Sequence, residues 1–342
     1  MNISWSKAHY HLFDGRVRWQ GHDVTGADPA TFSPLNHIWA RDANHIYTQN
    51  SVNRLADLET FEVLNHLYAR DKNHAFYLSG IIQEADAATF RVLDSGRHIR
   101  EGWTRKPENE DDDLGFDYEG FACDATQVFH YVLTIGKPCV LRGADPATFK
   151  VLPNSYGRDA KSVYYEKYRL KGAKPQTFRQ LNQHFAADER GVFYADRTMD
   201  DADAASFKIL GEYWAKDAKR VYFQDKIVEA DPATIELVAG HFARDGQRVY
   251  GFLGQVVEAA DPATFQPVGD SYFKDRTQVY YSGYPVSKVE GADPGTFQVV
   301  TEGKSDARDA RSLFRDGKRL GPGPNGQNRV LNFFNAIRGR RT

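Results

Sequence analysis

Ala260-Asp261-Pro262-Ala263-Thr264-Phe265 is one copy of a six-residue block that recurs along nearly the whole chain of 342 residues. The last residue of the block recurs at gaps of 29, 29, 59, 29, 29, 28, 30 and 32 residues. Its nine positions are Phe32, Phe61, Phe90, Phe149, Phe178, Phe207, Ile235, Phe265 and Phe297. A nearly constant period of this size predicts a tandem repeat protein, in which each unit buries its apolar face against its neighbours.

The block has the chemistry of a helix start. Asp261 suits the N-cap, where its carboxylate accepts from free backbone amides, and Pro262 suits the first helical position because its nitrogen has no proton to pair. Thr264 is placed to bond back toward the cap. The sequence therefore predicts a short helical turn in every unit, after which the aromatic residue fills the core. Capping explains the repeated Asp and Thr without catalysis or calcium.

Between two blocks the sequence predicts a three-stranded meander. Val221-Tyr222-Phe223, for example, has the β-branched and aromatic composition of a half-buried strand, with polar turns on both sides. A second set of aspartates opens the turn before this strand, and each is expected to accept from the backbone amide two residues on. These are Asp42, Asp71, Asp124, Asp159, Asp188, Asp217, Asp245, Asp275 and Asp309.

The predicted fold is all-β with short helical turns, a tandem array of about nine to ten β-meander repeats. An open or superhelical array is preferred to a closed propeller, because units of about 29 residues are small for four-stranded blades. The array is expected to span residues 1–322. Residues 323–342 are expected to form a C-terminal capping helix, from about Gln327 to Ile337, followed by a basic tail.

Composition excludes several classes of protein. Hydrophobic residues make up 41% and aromatic residues 13% of the chain, too much for a disordered protein. The net charge is −2, divided into +7 for residues 303–342 and −9 for the rest, so a nucleic-acid partner is not expected. No stretch has the apolar length of a signal peptide or membrane span. We therefore expect cytoplasmic residence and no membrane insertion.

The two cysteines, Cys123 and Cys139, are expected to be reduced. In the repeat they fall on the first and third strands of one meander. Two strand spacings, roughly 9–10 Å, exceed the reach of a disulfide.

Three strand-turn segments resemble the signature of the DKNYY family of bacterial repeat proteins. They are Asp71-Lys-Asn-His-Ala-Phe-Tyr77, Asp159-Ala-Lys-Ser-Val-Tyr-Tyr165 and Asp275-Arg-Thr-Gln-Val-Tyr-Tyr281. The resemblance covers about residues 25–315 and brings no catalytic motif. It implies a bacterial source and, for some members, a place beside secreted toxins as an immunity protein.

Residues 94–123 depart most from the repeat. Leu64 and Asp71 are 7 residues apart, whereas Leu93 and Asp124 are 31 apart, an excess of 24. One interpretation is a solvated loop or a degenerate repeat. The other is an acidic, aromatic finger that docks on a basic protein. On the second interpretation the candidate partner-binding residues are Trp103, Glu108, Glu110, Asp111, Asp112, Asp113, Phe116 and Tyr118.

The histidines cluster before residue 100, and two pairs stand 29 residues apart: His37 with His66, and His45 with His74. A zinc or copper ladder is conceivable, but recent duplication explains both pairs without a metal. Gly321-Pro-Gly-Pro-Asn-Gly326 matches a dinucleotide-binding pattern, yet its prolines remove amides that would hold phosphate, and it is interpreted as a linker. No catalytic residue, metal site or cofactor is predicted.

The leading functional hypothesis is a non-catalytic scaffold that binds a protein, most concretely an immunity protein that masks a cognate toxin. The alternative is a glycan-binding or envelope-associated module whose aromatic rows stack on sugars. An enzyme with a site between repeats is third.

Overall fold

A computed structural model describes residues 3–4, 9–78, 80–96, 98–99, 116–117, 119–302 and 305–322. The chain divides into two compact parts, residues 1–178 and residues 179–342. Among the described residues, no helix has the length and apolar character that a membrane crossing requires.

The described chain is a series of short antiparallel sheets that follow one another along the sequence. Nine sheets have four strands, one has three and one has two. In the N-terminal part the strands β1 to β22 are Ile3–Ser4, Tyr10–Phe13, Arg16–Trp19, His22–Asp23, Ser33–Pro34, Trp39–Arg41, Ile46–Thr48, Ser51–Val52, Glu62–Val63, Tyr68–Arg70, Ala75–Tyr77, Gly80–Ile81, Arg91–Val92, His98–Ile99, Phe116–Asp117, Gly120–Cys123, Val128–Val132, Lys137–Val140, Lys150–Val151, Tyr156–Arg158, Val163–Tyr165 and Tyr168–Arg169.

The C-terminal part continues the same series and adds one 3₁₀ turn, Phe252–Gly254. Its strands β23 to β41 are Arg179–Gln180, Phe185–Ala187, Val192–Tyr194, Arg197–Thr198, Lys208–Ile209, Trp214–Lys216, Val221–Phe223, Lys226–Val228, Glu236–Ala239, Phe242–Arg244, Val249–Tyr250, Gln266–Pro267, Tyr272–Lys274, Val279–Tyr281, Ser287–Lys288, Gln298–Glu302, Ser305–Arg308, Ser312–Arg315 and Lys318–Pro322.

The predicted all-β array of meander repeats is confirmed, but a regular unit has four strands rather than three. The additional strand follows the six-residue block directly. After Phe149, β19 pairs with β20, placing Lys150 opposite Arg158 and Val151 opposite Gly157. Sequence reasoning missed this strand because it is only two residues long, too short to show an alternating pattern.

The block is a single hydrogen-bonded turn, as the predicted short helical turn requires, and it does not extend into a helix. The amide of Thr264 donates to the carbonyl of Asp261 at 3.2 Å, and the amide of Phe265 donates to the same carbonyl at 3.0 Å. The Thr264 hydroxyl bonds the Asp261 carboxylate at 2.7 Å, as the capping chemistry requires. Strand β34 begins at Gln266, so the chain leaves the turn before a second turn can form.

The second aspartate of each unit makes more bonds than the turn chemistry predicts. One oxygen of Asp245 accepts from the amides of Gln247 and Arg248 at 2.8 and 2.7 Å. The other oxygen accepts from the amide of Asp231, 14 residues earlier, at 3.1 Å, and from the Tyr250 hydroxyl at 2.7 Å. The carboxylate therefore ties its own turn to the turn of the preceding block.

These bonds explain the ionisation of the buried acid. Burial opposes the charge of Asp245, but the hydrogen bonds from Tyr250 and from the three amides outweigh it and lower the pKa of the carboxyl group. Asp42, Asp217 and Asp275 share the lowered pKa for the same reasons. At Asp124 the hydrogen bonds that outweigh burial come from three amides and the Thr126 hydroxyl.

The core is divided into clusters that each combine residues of two successive units. One cluster packs Phe242 and Val249 of one unit against Phe273 and Tyr280 of the next, with Phe265 of the intervening block between them. The block aromatic therefore seals the boundary between neighbouring units, as the period predicts.

Both cysteines are free thiols, which confirms the prediction. Cys123 lies on β16 and Cys139 on β18, on opposite sides of the central strand β17. The predicted capping helix, from about Gln327 to Ile337, and the rest of residues 323–342 lie outside the described residues.

Replacing Asp245 by Asn tests the buried acceptor. The amide group keeps the size of the side chain but cannot accept all four hydrogen bonds, so the free energy of unfolding should fall by about 2 to 4 kcal/mol in urea titrations. Glu236→Gln is the matched control, because this acid is 59% exposed where it bonds Arg244, and it should change stability by less than about 1 kcal/mol. Equal effects of the two variants would contradict a structural role of the buried carboxylate.

The lowered pKa values predict loss of stability in acid. A carboxyl group whose pKa is lower folded than unfolded, where it is about 3.9, stabilises the fold fully above about pH 5 and loses that contribution as the pH falls through its folded pKa. Urea titrations from pH 7 to pH 3 should show a plateau and then a decline. The decline should be shallower in the Asp245→Asn variant, which has one linked group fewer, and an identical decline would count against the assignment.

Candidate binding surface

Most of the predicted partner-binding residues lie outside the described part of the chain. Trp103, Glu108, Glu110, Asp111, Asp112, Asp113 and Tyr118 belong to this group. Phe116 lies on β15, whose backbone pairs antiparallel with β14 and places Phe116 opposite Ile99. The structure therefore locates the base of the insert, and the role of its predicted contact residues stays a prediction.

The base of the insert is closed by hydrogen bonds. The carboxylate of Asp94 accepts from the amides of Gly96 and Phe121 at 2.8 and 2.7 Å. The Tyr68 hydroxyl donates to the carbonyl of Gly120 at 3.0 Å. Strand β13, before the insert, pairs directly with β16, after it. The insert therefore connects two adjacent strands, β13 and β16, of one repeat sheet.

The repeated acids of the described units are used by the fold. In eight units the second aspartate accepts from the amide of the residue at the block cap position; the pairs are Asp42 with Asp28, Asp71 with Asp57, Asp124 with Asp86, Asp159 with Asp145, Asp217 with Asp203, Asp245 with Asp231, Asp275 with Asp261 and Asp309 with Asp293. Acids held in this way have no lone pairs arranged for a shared ion. Within the described ranges no three His, Cys, Asp or Glu side chains are grouped as metal ligands.

The histidines in register do lie side by side. The rings of His37 and His66 are 5.8 Å apart between centroids, and His9 extends the row at 6.1 Å from His37. The indole nitrogen of Trp19 donates to the carbonyl of His37 at 2.9 Å. Duplicated units stacked in register account for this row.

Two successive units in the C-terminal part depart from the regular pattern. The unit after Ile235 has only three strands, and the 3₁₀ turn Phe252–Gly254 precedes the place where its fourth strand would lie. The next unit carries the extra residues around Tyr284 and Pro285, which are joined by a cis peptide bond. These are the units whose sequence gaps are 30 and 32 instead of 29.

The 3₁₀ turn is held by its backbone and by the preceding unit. The amide of Gly251 donates to the carbonyl of Gln255 at 2.8 Å, and the amide of Gly254 donates back to Gly251 at 3.0 Å. Gly254 has φ +72°, and a Cβ placed there would meet Val228 Cγ2 at 2.4 Å. Glycine is therefore needed both for the backbone conformation and for close packing on Val228.

A row of aromatic rings leads to this turn. The ring centroids of His184 and Tyr213 are 5.1 Å apart, those of Tyr213 and His241 5.2 Å, and those of His241 and Phe252 5.3 Å. Tyr284 completes the row at 5.4 Å from Phe252, edge to face at 80°. These spacings are those of favourable ring pairs, which fix the position of the terminal ring.

Burial affects the tyrosines near this row. Burial, together with the nearby carboxylates of Asp225 and Glu212, raises the pKa of Tyr194 to about 12. Burial and the hydrogen bond to Glu212 raise the pKa of Tyr213 well above its ordinary value. Both phenols are therefore neutral donors at physiological pH and supply no anionic nucleophile.

The end of the row borders a groove of about 420 Å³, here called the Tyr284 groove, lined by Phe252, Val256, Tyr280, Tyr284 and Val286 among others. Tyr284 is 67% exposed, and Val256, which also lines the groove, is 40% exposed. Gln255, Glu258, Gln278 and Lys288 add polar groups to the lining. A concave surface that combines an exposed aromatic ring with apolar and a few polar groups is typical of a binding surface.

The fold and this surface define a class, the β-meander repeat protein. Residues 39–197 and 195–320 match the DKNYY family, and the chain belongs to that family. No curated protein and no solved structure matches the chain.

The Tyr284 groove was not among the predicted sites. The sequence did indicate it, because the gaps of 30 and 32 residues between successive blocks exceed the usual 29 by one and three residues. Sequence reasoning followed the much larger excess of residues 94–123 and passed over these small ones. Only the packing of Phe252 against Tyr284 shows that the additions of two units meet at one place.

Replacing Gly254 by Ala tests how firmly the groove is fixed to the preceding unit. The left-handed backbone should cost about 1 to 2 kcal/mol, and the contact with Val228 about 1 to 3 kcal/mol more. The matched control is Gly143→Ala, which has φ +80° but nothing within 4 Å of the added Cβ. Urea unfolding should show a clearly larger loss for Gly254→Ala. Equal losses would mean that the turn is not packed on Val228.

Proposed function

We propose that this chain is a non-catalytic repeat scaffold that binds another protein, and specifically an immunity protein that neutralises a toxin by covering it. The observation that carries the proposal is the Tyr284 groove, which is lined by Tyr284, 67% exposed, and by the exposed side chain of Val256. Exposed tyrosine with an apolar surround is enriched in the energetically dominant part of protein interfaces.

The charge of the chain supports a basic partner. Residues 1–302 carry a net charge of −9, so a basic toxin would be steered toward them over about a Debye length. In this proposal the insert at residues 94–123 supplies further acidic contacts, and the chain acts in the cytoplasm. The second aspartates of the repeats, which are held in the turns described above, have no part in the contact.

A glycan ligand is the second candidate. Tyr284 lines the same groove as Gln255 and Gln278, whose side chains carry amide groups. A ring face next to planar amides can stack on a sugar and bond its hydroxyl groups. The same residue would therefore be the anchor in both candidates, and the ligand decides between them.

Co-expression tests the protein-binding proposal. A toxic product of the gene adjacent to this one should become harmless when this chain is present, and the two purified proteins should form a complex in calorimetric titrations. Tyr284→Ala combined with Val256→Ser should weaken that complex about tenfold or more, because truncated anchors typically cost over 1 kcal/mol. Leu55→Ala is the control: Leu55 is 55% exposed on the N-terminal part, and its loss should leave the affinity unchanged.

Two results would overturn the proposal. The first is the absence of both protection and complex formation, combined with binding of this chain to cell-wall polysaccharide, which would favour the glycan candidate. The second is a stable complex that the double variant and the control weaken equally. Unfolding midpoints of each variant must match that of the unaltered chain, since Tyr284 and Val256 are exposed and contribute little to the core.

A further inference from the structure

A second groove, of about 810 Å³, lies in the N-terminal part beside the last strands of two successive units, β18 and β22. Its lining contains four cations, Lys137, Arg142, Lys167 and Arg169. Among the described lining residues, Glu84 is the only acid. The net charge of this basic groove is positive, opposite in sign to that of residues 1–302, which are net negative.

The cations of the basic groove are not neutralised within the described part of the chain. No described carboxylate lies within ion-pair distance of Lys137, Arg142, Lys167 or Arg169. The ammonium group of Lys167 instead lies 5.1 Å from the centre of the Tyr168 ring. Positive charge concentrated in a concave surface attracts anions more strongly than the same charge spread on a convex one.

Other strands carry cations that do have a carboxylate partner. On β26 and β30, Arg197 and Lys226 share the carboxylate of Asp225, at 2.8 and 3.3 Å. Arg16 and Arg18 on β3 share Asp23, at 3.1 and 2.9 Å. These paired arginines offer a matched comparison for the unneutralised cations of the basic groove.

We propose that the basic groove binds a small phosphorylated ligand. Guanidinium groups match phosphate oxygens in bidentate pairs, and ammonium groups add point charge. The volume lies within the range of about 300–1,000 Å³ that is typical of small-molecule sites. The net negative charge of the surrounding chain disfavours a long polyanion, which would extend beyond the groove.

Tyr168 adds an aromatic ring to the cations of the basic groove. Its ring is 46% exposed on β22, beside Arg169, and it lines the groove together with the cations. A phosphorylated ligand that also carries an aromatic group, such as a nucleotide, would stack on this ring, whereas inorganic polyphosphate would contact the cations alone. The phosphate contacts are common to both sources.

Calorimetric titration of the full chain with inorganic tripolyphosphate at low salt tests the proposal. The chain should bind, and the Arg142→Gln/Arg169→Gln variant should bind about tenfold or more weakly, because each lost bond is charge-assisted. The Arg16→Gln/Arg18→Gln variant removes the same charge from arginines already paired with Asp23, and its affinity should stay within about twofold of the original. Absence of binding to the unaltered chain, or an equal loss in both variants, would overturn the proposal.

A second titration, with ATP, distinguishes the sources. If ATP binds more tightly than tripolyphosphate and Tyr168→Ala removes only that difference, the ligand is a nucleotide. Equal affinities that Tyr168→Ala leaves unchanged support a ligand recognised by its phosphates alone. Cys139 also lines the groove while Cys123 is buried, so bound ligand should slow the alkylation of Cys139 by iodoacetamide. No protein partner enters these measurements, so their outcome is independent of the immunity proposal.

Discussion

One buried carboxylate in each unit holds the repeat together. Asp217 shows the pattern: one oxygen closes its own turn through the amides of Lys219 and Arg220, and the other binds the amide of Asp203 and the Tyr222 hydroxyl. A charged acceptor of this kind forms stronger hydrogen bonds than a neutral one and is costly to leave unpaired. The Asp-Pro-x-Thr-Phe block keeps its position because this carboxylate fixes the block to the sheet beside it.

This constraint determines where function can lie. The acids that recur in each unit are engaged in turns, so their repetition indicates a structural role and not a catalytic or ligand-binding one. Residues that depart from the repeat are not required for these turns. The Tyr284 groove lies where two such departures meet, and it presents an exposed aromatic ring. The basic groove lies instead beside the last strands of two regular units, where four cations line one concave surface.

Much of the fold was predictable from the sequence, because the turn chemistry is local. Asp261, Pro262 and Thr264 define their turn within four residues, and the period sets the unit. Two things were not predictable: the strand Lys150–Val151, which is too short for a pattern, and the bond from the Asp245 carboxylate to an amide 14 residues away. Both depend on tertiary packing. The Tyr284 groove was harder still to predict from the sequence, because it forms only where the additional residues of two successive units come together.

Five of the second aspartates are buried acceptors whose pKa is lowered by the hydrogen bonds that they accept. Carbon-13 NMR titration of the aspartate carboxyl signals measures this directly, with exposed aspartates of the same chain as internal references. We expect these five, Asp42, Asp124, Asp217, Asp245 and Asp275, to titrate below the ordinary value of about 3.9. Midpoints at or above that value would show that the carboxylates are not held by these hydrogen bonds, and would contradict the account.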